Sequence, residues 1–239
     1  MKYPELKNTP IKETIFSISY DEIVNKDCFD KFLQLDTIKN NFKDINPLIN
    51  REVNLKEDTV DVSSKHNGYH LRNKNEVLQL RRGSFSFHFL NGYRKFDELL
   101  NSFSEYWSSF NELTKETLTV IGFSVRYINV IEIDEENQPT HLIQLYPKQS
   151  NDRTILNFQN SIQFSYNESP KYIVNAVSTR INQNEINGVL LDISVSNKTS
   201  QEINKKTTLK KLFNPLQEIK NKAFFDSITA RTLVKYMTK

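Results

Sequence analysis

Four histidines, one cysteine and a scatter of carboxylates are the side chains with which this chain of 239 residues could do acid–base, nucleophilic or metal chemistry. His66 and His70 have the spacing of a metal-binding pair. The intervening Asn67-Gly68, however, is a two-residue hairpin signal. Across such a turn His66 faces Tyr69 and His70 faces Lys65, so the imidazoles diverge. His88 alternates with Ser84 and Ser86, and a Ser–His pair can be nucleophilic. No G-x-S-x-G elbow accompanies it and spacing places no third group, so a satisfied strand histidine is expected. His141 opens a strand and carries no signal. Cys28 falls near a helix start, where the dipole lowers a thiol pKa. It has no histidine close in sequence and reads as a small buried thiol. Asp58 with Asp61, and Asp134 with Glu135 and Glu136, read as turn carboxylates facing solvent. No catalytic, metal-binding or cofactor-binding set assembles from spacing alone.

Two polar residues fall where burial would make them matter. Alternation in segment 119–133 puts Asn129 on the face of Phe123, Val125, Tyr127 and Ile131. A buried amide without partners costs roughly 1–3 kcal/mol. Glu13 falls likewise between Ile11 and Ile15, and a buried carboxylate wants a cation. Arg126 is the available central-strand arginine. Glu13, Arg126 and Asn129 are therefore expected to form either a structural polar network or the floor of a ligand pocket.

Several classes are excluded. The five glycines, at 68, 83, 92, 122 and 188, never come closer than nine residues. Neither a G-x-G-x-x-G nor a Walker A loop is possible. One cysteine allows no internal disulfide and no cysteine-rich zinc site. Phe85, Phe87 and Phe89 alternate with Ser84, Ser86 and His88 and have no interleaved Arg or Lys, so they read as core and not as base-stacking platforms. The 32 basic and 29 acidic residues nearly cancel, yet ten basic and three acidic ones lie in 198–239. That basic end, with Lys205, Lys206, Lys210 and Lys211, is either a solvated lysine-rich surface or a contact for nucleic acid or an acidic partner. The N-terminus shows no apolar signal region, and no apolar run approaches the roughly 18 residues of a membrane span. A cytoplasmic setting without membrane contact is the expectation.

The elements that must carry these residues follow from periodicity. Segment 11–20 reads as a strand. Segment 27–50 reads as one or two helices broken by Pro47. Residues 51–90 read as a β-meander turning at Asn67-Gly68 and Arg82-Gly83. Phe96, Leu99, Leu100, Phe103, Trp107, Phe110 and Leu113 form a helical stripe. A long strand at 119–133 precedes strands at 141–146, 154–166, 171–182 and 188–196, with a loop at 197–207. A closing helix is entered through Asn214-Pro215 as cap and first residue. Strand groups closed by helices predict an α+β fold, mainly antiparallel sheet, as one domain of two similar halves (about 1–115 and 116–239).

These segments in order resemble a sporadically distributed family of bacterial and archaeal proteins of similar length. The resemblance rests on Pro10-Ile11-Lys12-Glu13-Thr14; on Leu78-Gln79-Leu80 through Phe85, Phe87, Tyr93 and Trp107; on Arg126-Tyr127-Ile128-Asn129-Val130-Ile131; on Leu191-Asp192-Ile193; and on Ile228-Thr229. Val130 stands where the family has a second arginine. No catalytic residues are established for that family, so the resemblance implies none. Its scattered occurrence fits horizontally moved genes. The expectation is a non-catalytic intracellular interaction protein, an accessory or sensor component of a mobile anti-phage defence system, whose partner is a protein encoded nearby. The alternatives are a nucleic-acid-binding protein using the basic end and an enzyme built around Glu13, Arg126 and Asn129.

Overall fold

Period-two alternation shapes the nine described strands. The structure, a computed structural model, describes residues 3–4, 6–21, 23–56, 59–90, 92–114, 118–133, 142–144, 157–169, 171–183, 186–202 and 209–237. The first half contains β1 (Ile11–Tyr20), α1 (Lys26–Leu33), α2 (Asp36–Asn41), β2 (Asp44–Lys56), β3 (Thr59–Arg72), β4 (Glu76–Arg81), β5 (Ser84–Phe89) and α3 (Phe96–Leu113). The second contains β6 (Thr119–Glu132), β7 (Gln159–Phe164), β8 (Tyr172–Gln183), β9 (Ile186–Glu202), α4 (Leu209–Ser227) and α5 (Ala230–Met237).

All nine strands join one antiparallel sheet in the order β2-β3-β4-β5-β1-β6-β9-β8-β7. Each half opens on a central strand, β1 or β6, and returns by a meander to lie beside it. A helix then follows and packs on the sheet. The two opening strands pair with each other, Phe16 opposite Val125, so the halves share one sheet. This is the α+β architecture expected.

Helices α1, α3 and α4 lie on one sheet face. Phe16 of β1 meets Phe103 of α3 and Phe213 of α4 at ring-centroid distances of 5.6 and 5.7 Å. Phe85 of β5 meets Phe32 of α1 and Trp107 of α3 at 6.2 and 5.6 Å. Phe85, Phe87 and Phe89 are buried in this layer as core residues. The opposite face carries the alternate residues, and none of these three helices covers it. Ser86, Ser17, Ser124 and Ser196 form a row straight across β5, β1, β6 and β9.

Local expectations differ from the structure at five places, each for a tertiary reason. The expected helix ends at Asn41, and Pro47 sits inside strand β2. β2 is the sheet's edge strand, where a missing N–H is tolerated. Asn67-Gly68 makes no turn: Gly68 lies within β3, opposite Leu48 and Arg81. It has φ +146°, and a Cβ there would lie 1.8 Å from the Leu80 carbonyl oxygen. The positive φ that suggested a hairpin instead serves a β-bulge, marked by a register shift at Leu48/Ile49. Helix α4 starts at Leu209, not at an Asn214 cap, and carries Pro215 inside it. Phe213, fully buried among Phe16, Phe103 and Phe123, fixes the preceding turn in place. That packing outweighs the roughly 3 kcal/mol an interior proline costs. The segment expected as a loop from 197 continues as strand to Glu202, pairing with β6. Of the strand expected at 141–146, only a bridge from Ile143 to Ile228 lies among the described residues.

Candidate functional site

Two groups of polar side chains stand out, on opposite sides of the sheet. On the uncovered face, β5, β1, β6 and β9 bring together Ser86, His88, Glu13, Arg126 and Asp192. Glu13 faces this side by alternation with Ile15 and Ser17; a bulge at Lys12, where Ile11 pairs with Asn129 but Glu13 pairs with Ile128, turns Ile11 to the helix-covered side instead. Its carboxylate does not take the expected partner Arg126. Glu13 Oε1 lies 2.7 Å from His88 Nδ1, and His88 Nε2 lies 3.2 Å from Ser86 Oγ. Arg126 instead holds Asp192 with a two-pronged contact, Nε to Oδ1 at 2.8 Å. The Asp192 hydrogen bonds push the guanidinium pKa up further, with Glu13 adding a smaller contribution in the same direction. Two sequence signatures quoted separately, Arg126-Tyr127-Ile128-Asn129 and Leu191-Asp192-Ile193, thus meet through their charged residues.

The Ser86–His88–Glu13 chain has the connectivity of a nucleophilic relay. Its setting opposes that use. β5 is paired on both sides, by β4 and β1, so its backbone N–H groups are engaged in ladders. An acyl-transfer site needs two donors aimed at a developing oxyanion, and a doubly paired strand does not supply them.

Asn129 stands apart from Glu13 and Arg126, on the helix-covered face, with 2% of its surface exposed. Its amide donates to the carbonyls of Tyr127 and Leu191 at 3.3 and 3.0 Å. It lines a cavity of about 780 Å³ between the N-terminal segment, β1, β6 and α4. Tyr3, Pro10, Tyr93 and Phe225 line the same cavity, and Tyr3 stacks on Phe225 with centroids 4.7 Å apart and planes 5° from parallel.

Lys220 of α4 also lines this cavity. It lies four residues after Leu216 and three before Ala223, on the stripe α4 buries. It is 8% exposed, and its ammonium sits 3.7 Å from the centre of the Tyr127 ring. Burial pulls its pKa down from 10.5 to about 7. Lysine's hydrophilicity hides it from a search for core residues; its helical spacing was the signal that could have revealed it.

The remaining candidates are quickly placed. His66 and His70 do diverge, but through the bulge: His66 packs edge-on against Phe29 and Tyr69, and His70 pairs with Gln79 across from it. Burial, then the neighbouring His88, lowers the His70 pKa. Cys28 is buried and free, its thiol pKa raised by burial. Among the described residues no three His, Cys, Asp or Glu side chains cluster as metal ligands. Lys210 and Lys211 are exposed at the start of α4, Lys210 pairing with Asp97 at 3.0 Å. Lys205, Lys206, His141, Asp58 and Asp134 to Glu136 lie outside the described residues. No described helix is long and apolar enough to cross a membrane.

No protein-family model matches the chain, and no curated protein matches it.

Proposed function

We propose that this chain is a non-catalytic interaction protein, the accessory or sensor component of a mobile anti-phage defence system, with a protein encoded by a neighbouring gene as its partner. One observation carries the recognition reading. The polar groups capable of chemistry are closed on each other, Arg126 by Asp192 and His88 by Glu13 and Ser86, whereas a shaped cavity holds a buried cation with no described carboxylate against it. Catalysis needs groups poised to change charge state or donate to a transition state. Recognition needs a concave site with a few unmet polar groups. The ordered motif resemblance supports the defence setting, and the single cysteine supports a reducing compartment. The test is co-expression with each neighbouring gene product, followed by size-exclusion chromatography. A stoichiometric complex with one of them is expected; a monomer in every case overturns the reading.

A second reading, a serine hydrolase, is favoured by the Ser86–His88–Glu13 chain alone. A fluorophosphonate probe decides it. No labelling is expected, and labelling abolished by Ser86→Ala would replace the binding reading with the enzymatic one. Nucleic-acid binding through Lys210 and Lys211 predicts a gel shift at low salt that disappears steeply as salt rises.

A further inference from the structure

We propose that the cavity beneath α4 binds a planar organic anion, with Lys220 recognising its charge, Asn129 accepting a hydrogen bond from it, and the rings of Tyr3, Tyr93 and Phe225 as its walls. This inference rests on the recognition reading above and names what would be recognised.

The first support is size and shape. About 780 Å³ falls within the roughly 300–1,000 Å³ of small-molecule sites. Parallel rings at the wall, Tyr3 on Phe225, favour a flat body that continues the stack.

The second is charge. Among the described residues, the ionisable groups lining this space are Tyr3, Tyr93, Tyr166, Glu168, Glu218, Lys222 and Lys220, with Asp226 beside them on Tyr166. Lys222 is neutralised by Glu168, and Asp226 accepts from the Tyr166 hydroxyl at 2.7 Å. Glu218 is exposed. Lys220 is left with the face of Tyr127 and with a pKa drawn down by burial alone. An uncompensated buried cation is costly, and an anion entering the cavity removes that cost.

The third is hydrogen bonding. Asn129 spends its amide hydrogens on two backbone carbonyls. Its side-chain oxygen keeps acceptor capacity, which suits a ligand carrying an N–H or O–H beside its anionic group. A nucleotide or an aromatic carboxylate shares this chemistry.

The test is a fluorescence titration of the full chain with anilinonaphthalene sulfonate, against phenylnaphthylamine, which has the same rings and no sulfonate. At pH 6 the sulfonate is expected to bind one to one and about tenfold more tightly than the neutral probe, the size of one charge-assisted contact. The sulfonate stays ionised throughout, so the advantage tracks Lys220: it falls roughly threefold between pH 7 and pH 8 and is gone by about pH 9. Lys220→Met removes both the advantage and its pH dependence. Lys211→Met, exposed on the same helix, changes neither. Equal binding of the two probes, no binding of either, or an advantage that survives pH 9 or Lys220→Met each overturns the proposal. If Lys220→Met fails to fold, the pH series on the unaltered chain decides. A chain that binds neither probe but forms a complex with a neighbouring gene product loses this proposal and keeps the recognition reading. One that binds the sulfonate but no partner does the reverse.

Discussion

The same strands present two different chemistries on their two faces. Toward the helices, β1 shows Phe16, Ile18 and Tyr20, each at most 2% exposed. Away from them it shows Glu13, Ser17 and Ser19, all half-buried, and the buried Ile15. The covered face is held by apolar area and ring contacts. The uncovered one is held by the ladder hydrogen bonds, the Arg126–Asp192 ion pair and the Glu13–His88 contact. Sensitivity to substitution should therefore divide by face. Lys220, a cation on the apolar side, is the one described residue whose charge runs against this division without an opposing carboxylate.

The largest effect belongs to the centre of the covered face. Phe103 is fully buried and meets Phe16, Phe85 and Phe213 at centroid distances of 5.6, 5.9 and 5.5 Å. Three elements converge on it, so the hole left by truncation cannot collapse from one side. Phe103→Ala should cost about 3–5 kcal/mol, read as a lower denaturant midpoint. A loss below about 1 kcal/mol would mean the aromatic layer is not the main support of the sheet.

Next comes Lys220→Met, expected to act in the opposite direction. Unfolded, the lysine holds its proton up to its ordinary 10.5; folded, it releases it at about 7. Between these values the unfolded state carries the extra proton, so stability rises with pH by up to about 1.4 kcal/mol per unit. Below pH 7 both states are charged and the full penalty is present. Methionine keeps the stem and drops the charge. The variant should be more stable than the parent at pH 6, by a margin that shrinks through pH 8 to 10. A variant less stable than the parent at pH 6 would show that the ammonium is a supporting contact through Tyr127.

How much of this was legible beforehand divides along the same lines. The stripe Phe96, Leu99, Leu100, Phe103, Trp107 and Phe110 and the alternation of β1, β5 and β6 announce their elements, because burial on one face is a local pattern. Asn129 was correctly placed on the apolar face for the same reason. What failed depends on position in the sheet. Pro47 breaks helices but is tolerated at an edge. Gly68 supplies positive φ to a bulge as readily as to a turn. The partner of Glu13 depends on β1 pairing with β5, a long-range choice that alternation along one strand does not show. Lys220 was passed over because its type argues for solvent while its spacing from Leu216 and Ala223 argues for burial.

A smaller effect is expected from the charged pair of the uncovered face. Arg126 is 47% exposed at its side chain and Asp192 12%, so solvent screens the attraction but the carboxylate is largely out of water. Asp192→Asn keeps the shape and removes the charge. It should cost about 1 kcal/mol, near the upper end for exposed pairs, and the loss should shrink in high salt. A salt-independent loss would mean that Asp192 acts through packing.

The smallest effect tests the contrast most sharply. Ser124 stands in the serine row of the uncovered face, between Ser17 and Ser196. The residue is half-buried, so water can replace any partner it loses, and alanine leaves the backbone ladder untouched. Ser124→Ala should change stability by less than about 0.5 kcal/mol, even though the residue occupies the middle of the central strand pair. The adjacent Val125, one step along the same strand, is fully buried, and Val125→Ala should cost several times more. The two sites share a strand and the same two flanking strands, β1 and β9, so backbone position cannot explain a difference between them. Equal losses at both would mean that a further layer shields the serine row, and would end the description of that face as open.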